Sequence, residues 1–364
     1  MSEVIGAIHD KWQQLGGEAG FFGAALDIER PTFDGVGRAQ EFTGGTISWH
    51  PEIGAFATWG WIRARWLEIG RENFGYPLND ESGCPDGRGR YNHYRAMHLP
   101  DRPDSSIYWT ESTGAHEVYG GIRGRWRDIG WEKGWLGYPT EHEADTEAGG
   151  RAQIFEHGNM LWWPDLGAIE VGDIAIRYRG MICFGEDDEA GSDEPYVIVG
   201  VAAADGHPRP SFSRHYDKVD AGGSFPEATD IYRGLPNGVT LAVTLMEHDE
   251  GDPAAYKEKV DKLVAGAMAA AGLTGMAIPV IGPFIGPAIT AGLSALAPVV
   301  AKEVTSWLAD ELIGIQSIAL TQKELCRLLV APLQREQQVQ FHIPTILLSN
   351  GAASYKAYFD VVRV

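Results

Sequence analysis

The sequence predicts a mainly β chain with α insertions, organised in two parts. Residues 1–170 read as a threefold repeat of short-helix-plus-β-hairpin units, and residues 171–364 as an antiparallel β-sandwich carrying a long apolar helical hairpin. Three observations predict this. Trp12, Trp66 and Trp126 recur in IHDKWQQLGG, IRARWLEIGR and IRGRWRDIGW, and Trp49, Trp109 and Trp162 recur ahead of Gly54-Ala55, Gly114-Ala115 and Gly167-Ala168. Eleven of the 12 Trp lie at or before Trp163. Beyond Asp173, apolar residues alternate with a period of two, as half-buried strands require.

Each unit, at about 5–60, 61–120 and 121–170, opens on an amphipathic helical turn or two. Ile62, Trp66 and Ile69 share one face, as do Ile122, Trp126 and Ile129. Gly16, Gly70 and Gly130 stand where a left-handed C-cap is expected. A glycine turn follows (GFFGAAL, NFGYPL, GWLGYPT), then GRAQEF, GRYNHY or GRAQIF, then the Trp strand, a pattern predicting a hairpin. One short helix and a hairpin cannot cover their own aromatic face, so the units are expected to pack on one another.

Trp residues at repeating positions are expected in the core. The aromatics outside the repeat pattern, Trp59, Trp61, Tyr91, His93, Tyr94, Trp131, Trp135 and Trp163, are the candidates for stacking on sugar rings.

The second part begins with DIAIRYRGMICF, in which Ile174, Ile176 and Tyr178 and then Met181 and Cys183 alternate. PYVIVGVAAA, GVTLAVTLME, GIQSIAL, VQFHIPTILLS and YKAYFDVVRV supply further strands, a sandwich pattern. Two strands border acidic loops, 185–194 and 247–252. Calcium takes six to eight oxygens from flexible loops, so carboxylates drawn from both loops suit it. Between the second loop and GIQSIAL, residues 263–301 hold no charged side chain. Pro279, Pro283 and Pro287 with Gly282 and Gly286 break that run, predicting helices over 254–277 and 288–311. Each half is at the short edge of what spans a bilayer, so the hairpin is either covered by protein or membrane-insertable, with Ile278, Ile281, Phe284 and Ile285 at its tip.

The totals exclude some classes. Net charge is −20, and 15 basic against 26 acidic residues precede Val171, so the acidity is spread and nucleic acid is not an expected partner. Cys84, Cys183 and Cys326 are odd in number, far apart and without a CxxC spacing, so neither a disulfide scaffold nor a zinc site is expected from the sequence. No GxSxG, HExxH or phosphate-binding loop is present, and a non-catalytic role is expected. No signal peptide is visible, leaving a leaderless route to the surface or a cytoplasmic location as the expectations.

The helix, proline turn and Trp strand over residues 5–170 resemble the LGFP repeat of bacterial cell-envelope proteins. That resemblance implies attachment to cell-wall or surface glycan. SDEPYVIV followed by LAVTLMEHDEGD resembles a C2 domain. It implies a calcium site with Asp193, Glu247 and Asp249 as ligands, Asp187 or Asp188 completing it and Asp252 adjoining. The joint expectation is a non-catalytic glycan-binding protein with a calcium-binding, membrane-interacting second part. The alternatives are a toxin-like effector inserting the 254–311 hairpin and a glycan hydrolase. Glycan and membrane lipid are the expected partners, and oligomerisation is left open.

Overall fold

A computed structural model describes residues 3–186, 193–205, 207, 209–248, 253–270 and 311–364. The chain forms two compact units, Met1–Ala144 with Arg151–Glu170, and Asp145–Gly150 with Val171–Val364.

In the first unit each repeat is a helix followed by an antiparallel meander of three longer strands, which short pieces (Arg30–Pro31; Tyr76–Pro77 and Ser82–Gly83; Ala144–Thr146) extend at one edge. The helices are α1 (Gly6–Gln14), α2 (Gly60–Glu68) and α3 (Gly120–Asp128). The sheets are β1 (Arg38–Phe42), β2 (Gly45–His50) and β3 (Gly54–Trp59); β4 (Arg90–Arg95), β5 (Asp104–Thr110) and β6 (Gly114–Tyr119); and β7 (Gly150–Phe155), β8 (Gly158–Trp163) and β9 (Gly167–Val171). The expected hairpin is thus one strand short. The Gly-Ala pair does not end the Trp strand but starts a third, with Gly54, Gly114 and Gly167 at φ of 100°, 84° and 72° turning the chain back.

Helix ends follow the sequence. Gly16, Gly70 and Gly130 take φ of 97°, 113° and 105°, the left-handed region where a Cβ is penalised. The helix Trp then closes the repeat. Trp12, Trp66 and Trp126 donate Nε1–H to the carbonyls of Gly23, Gly75 and Gly137 at 2.8, 3.0 and 3.2 Å, so one ring fills the core and clamps the glycine turn. Trp66 and Trp126 are fully buried, while Trp12, Trp49, Trp109 and Trp162 pack partly buried on their clusters.

A cation one residue before each helix Trp ties helix to sheet. Arg65 chelates Glu117 at 2.7 and 2.9 Å, and Arg125 chelates Glu170 at 2.7 and 2.8 Å. In the first repeat Ala57 occupies the carboxylate's position. Asp80 compensates, pairing with Lys11 at 2.9 Å and accepting the Ala57 amide at 2.9 Å.

Tyrosines join successive repeats. The Tyr76 hydroxyl lies 2.6 Å from Thr32 Oγ1 and 2.8 Å from Asp34 Oδ2 of the first repeat, over Gly37, which has no room for a Cβ. Tyr138 reaches Asp86 of the second repeat at 2.6 Å, over Gly89. The first copy has Ala24 at this position.

The second unit is a pair of antiparallel sheets around one core. Strand β10 (Ile174–Gly185) lies between β13 (Ser224–Gly234) and β16 (Ser354–Arg363). The other sheet runs β12 (Phe212–His215), β11 (Pro195–Ala203), β14 (Val239–Glu247), β15 (Glu311–Leu320). Ile176 and Met181, Val199, Val243 and Phe359 meet between them. Inward residues switch from even to odd numbers after Tyr178 because the ladder shifts register at Gly180.

Helix α4 (Pro253–Ala270) covers the outer face of β11. A Cβ on Gly200 would stand 2.7 Å from Val264 and 3.1 Å from Val260, so glycine there lets helix and strand approach. All of Pro195–Ala203 is consequently buried, not one face alone.

Two expectations need correction. VQFHIPTILLS is not one strand but three short pieces, Val339–Phe341, Ile343–Pro344 and Leu348–Ser349, with Pro344 unable to donate to a ladder. Helix α5 (Gln322–Val330) was not expected, although Thr321 and Glu324 form a reciprocal capping box. Its first turn also receives residues 145–150: Thr146 donates to Gln322 at 2.6 Å, and Glu147 accepts the Lys323 amide at 2.6 Å.

Of the expected 254–311 hairpin, α4 is seen. Residues 271–310, with Ile278, Ile281, Phe284 and Ile285, lie outside the described residues. Among those described, no helix is long and apolar enough to cross a membrane.

Candidate ligand-binding site

The second repeat differs from its neighbours by the longer connection between β4 and β5. This loop is fastened rather than free. Arg95 pairs with Asp104 at 2.7 Å across its base, the Ala96 amide donates to Pro103 O at 3.1 Å, and Arg102 holds Glu52 of the first repeat. Standing so, it walls a groove of about 410 Å³ against the end of α2 and the turn after it. Ile69, Phe74, Leu99 and Pro103 give the groove apolar sides. Asn73, Asp104, Ser105, Glu117 and Tyr119 supply polar groups.

Two of those polar groups are set by their surroundings. Burial pushes the Glu117 carboxyl up, but the hydrogen bonds and charge of Arg65 outweigh it and hold it below the usual range, so Glu117 stays ionised. Ser105 is buried, and among the described residues its Oγ has no hydrogen-bond partner. An unpaired buried hydroxyl is uncommon in native proteins and calls for an explanation.

The eight aromatic candidates divide sharply. Trp61 and Trp135 are 68% and 47% exposed and free to meet a ligand. Tyr94 and Trp163 are fully buried and are corrected to core positions. Both do have repeat equivalents: Tyr94 aligns with Phe42 and Phe155, and Trp163 with buried His50 and Thr110. Trp59 packs against the first core, edge-on to Phe22 and beneath Arg90. Tyr91, His93 and Trp131 cluster with Tyr108 where the second and third repeats meet, with Tyr91 and Tyr108 stacked at 5.3 Å. Burial, with the charge of Arg123, pushes His93 down to about 4, so it is neutral at physiological pH. Phe21, which the sequence reading passed over, is 59% exposed and aligns with Trp135, its counterpart in the second repeat being groove residue Asn73.

The residues expected to ligate calcium are placed in part. Glu194 N–H donates to Glu247 Oε1 at 2.6 Å and Pro195 pairs with Glu247, which brings the flanks of both acidic loops to one end of the sheet. Asp193, however, is buried and accepts the hydrogen bond of buried Tyr355. Asp187, Asp188, Asp249 and Asp252 lie outside the described residues.

Against known families, the LGFP repeat matches residues 22–73, 74–134 and 136–181. The chain therefore carries three LGFP repeats, framed from the glycine turn rather than from the helix. No curated protein matches the chain.

Proposed function

We propose that the three LGFP repeats form a non-catalytic receptor for a cell-envelope saccharide, with the groove of the second repeat as its binding site. The observation that carries this reading is a groove that sets an apolar wall of Phe74, Leu99 and Pro103 beside polar Asn73, Ser105 and Glu117. A sugar ring offers both matching features, an apolar face for Phe74, Leu99 and Pro103 and hydroxyls for Ser105, Asn73 and Glu117. LGFP repeats occur in envelope-associated proteins, which supports a surface role. Exposed Trp61 and Trp135 add stacking surfaces outside the groove. The protein should co-sediment with purified bacterial cell-wall material. Leu99→Glu, which puts a charge on the apolar wall at a half-exposed position, should reduce retention roughly tenfold with an unchanged melting temperature. Undiminished retention of that variant would remove the groove from the reading.

A second reading concerns the second unit, as a C2-like sandwich that binds calcium where its acidic strand ends meet. The joining of Glu194 to Glu247 favours it, and Asp193, engaged by Tyr355, takes no part as a ligand. Millimolar calcium should then raise the melting temperature by mass action, in Asp193→Asn as in the parent chain. A melting curve indifferent to calcium ends this reading. The membrane-inserting alternative rests on residues 271–310 and is tested by dye leakage from liposomes.

A further inference from the structure

The two joints between repeats are built alike but neutralised differently. At the first joint, Glu72 is buried and held by Arg30 (Nη2 to Oε1, 3.0 Å) and by Ser48 Oγ at 3.0 Å. Thr32 and Asp34 receive Tyr76 beside it, with Thr32 Oγ1 donating to Asp34 at 2.7 Å. At the second joint the corresponding glutamate is Glu132, and the corresponding aspartate and tyrosine are Asp86 and Tyr138. The other three positions have changed: Arg30 becomes Ser82, Ser48 becomes Tyr108 and Thr32 becomes Cys84.

These exchanges remove a cation and bring in a thiol. Glu132 is only 6% exposed, and its carboxylate accepts a hydrogen bond from its own backbone N–H but, among the described residues, none from another side chain. The neighbouring guanidinium groups are engaged elsewhere, Arg90 by Glu81, Arg88 by Glu156 and Arg123 by Ser106. Instead, ligand atoms of Cys84, Asp86 and Glu132 lie within 4.8 Å of one another. Cys84 and Glu132 are buried while Asp86 is at least partly exposed, so the cluster opens to water on one side.

We infer that the joint between the second and third repeats is a zinc site, in which Cys84 Sγ, Asp86 and Glu132 bind one ion that replaces the guanidinium of the first joint. Zinc bonds to thiolate and carboxylate of about 2.3 and 2.1 Å place tetrahedral ligands roughly 3.5 Å apart, so the cluster needs to contract by about 1 Å. Water on the Asp86 side fills the fourth position, and Tyr138, donating to Asp86, orients that ligand. Without metal, burial pushes the Cys84 thiol up to about 12, so it holds its proton, and pushes the Glu132 carboxyl above its usual range. Binding releases the thiol proton to solvent as Cys84 ionises.

The test uses the full chain, stripped with a chelator and dialysed against micromolar zinc. One zinc per chain is expected, with a higher melting temperature. Cobalt in its place should give a thiolate-to-metal absorption band that Cys84→Ser removes. Glu132→Gln should weaken zinc binding by roughly tenfold or more. Because both of these residues are buried, Ser82→Arg serves as the variant that keeps the fold. It restores the cation of the first joint and should abolish zinc uptake while leaving the melting temperature of the metal-free protein equal or higher. No stoichiometric uptake by the parent chain, or uptake that survives both Cys84→Ser and Ser82→Arg, overturns the assignment.

Discussion

Trp66→Ala should destabilise the first unit by about 3–5 kcal/mol, the range for removing a buried aromatic from a core. Three losses coincide at this residue. The ring is fully buried, it stacks on Tyr94 at 6.3 Å between centroids, and its Nε1–H is the partner of Gly75 O at 3.0 Å. Truncation therefore opens a cavity and leaves a carbonyl of the glycine turn unpaired. The groove should suffer with it, since Phe74 directly precedes that glycine and lines the groove. Trp12→Ala should cost less, because Trp12 is only partly buried. Urea unfolding followed by circular dichroism measures both. A loss below about 1 kcal/mol for Trp66→Ala would mean that the joints, not the core of each repeat, hold the array.

Gly180→Ala should be the most disruptive single-methyl change in the second unit. The added Cβ would fall 1.9 Å from Phe225 O, and φ at Gly180 is +104°, where a side chain is strained even in open space. Strain and overpacking each cost about 1–3 kcal/mol, so a total near 4 kcal/mol is expected. Gly222→Ala separates the two effects. Gly222 has φ of +84° but no atom within 4 Å of its Cβ position, so strain alone should appear, about 1 kcal/mol. Equal losses in the two variants would show that the bulge relaxes around the methyl group.

Local signals were the legible part of this chain. The recurring Trp, the left-handed glycines and the alternation of β10 are written in neighbouring residues, and even the parity switch after Tyr178 was visible before its cause, the bulge, was known. What lay across the sheet was not legible. Tyr94 and Trp163 read as surplus aromatics until the strands placed them at the inward positions of Phe42 and His50. Helix α5 was a missed local signal, since Thr321-x-x-Glu324 ahead of Leu325, Leu328 and Leu329 is a readable helix start. The groove was half legible. The insertion in the second repeat stood out, but only the fold shows that Leu99, Pro103 and Phe74 line one groove with Ser105. The second joint depends on comparing it with the first, residue for residue, which requires knowing which side chains meet there.

The backward reach of Tyr76 and Tyr138 gives the array a grammatical direction. Glu72 and Tyr76 are completed by Arg30, Ser48, Thr32 and Asp34, all earlier in the chain, and Tyr138 by Asp86. In the first copy the corresponding residues are exposed Glu18 and small Ala24. A ribosome makes the chain in that same order, so each repeat emerges to find the partners of its tyrosine already made. A series built in this way can be lengthened at its far end by another copy without altering its beginning, whereas removing the first copy strands a buried glutamate and a buried phenol at once.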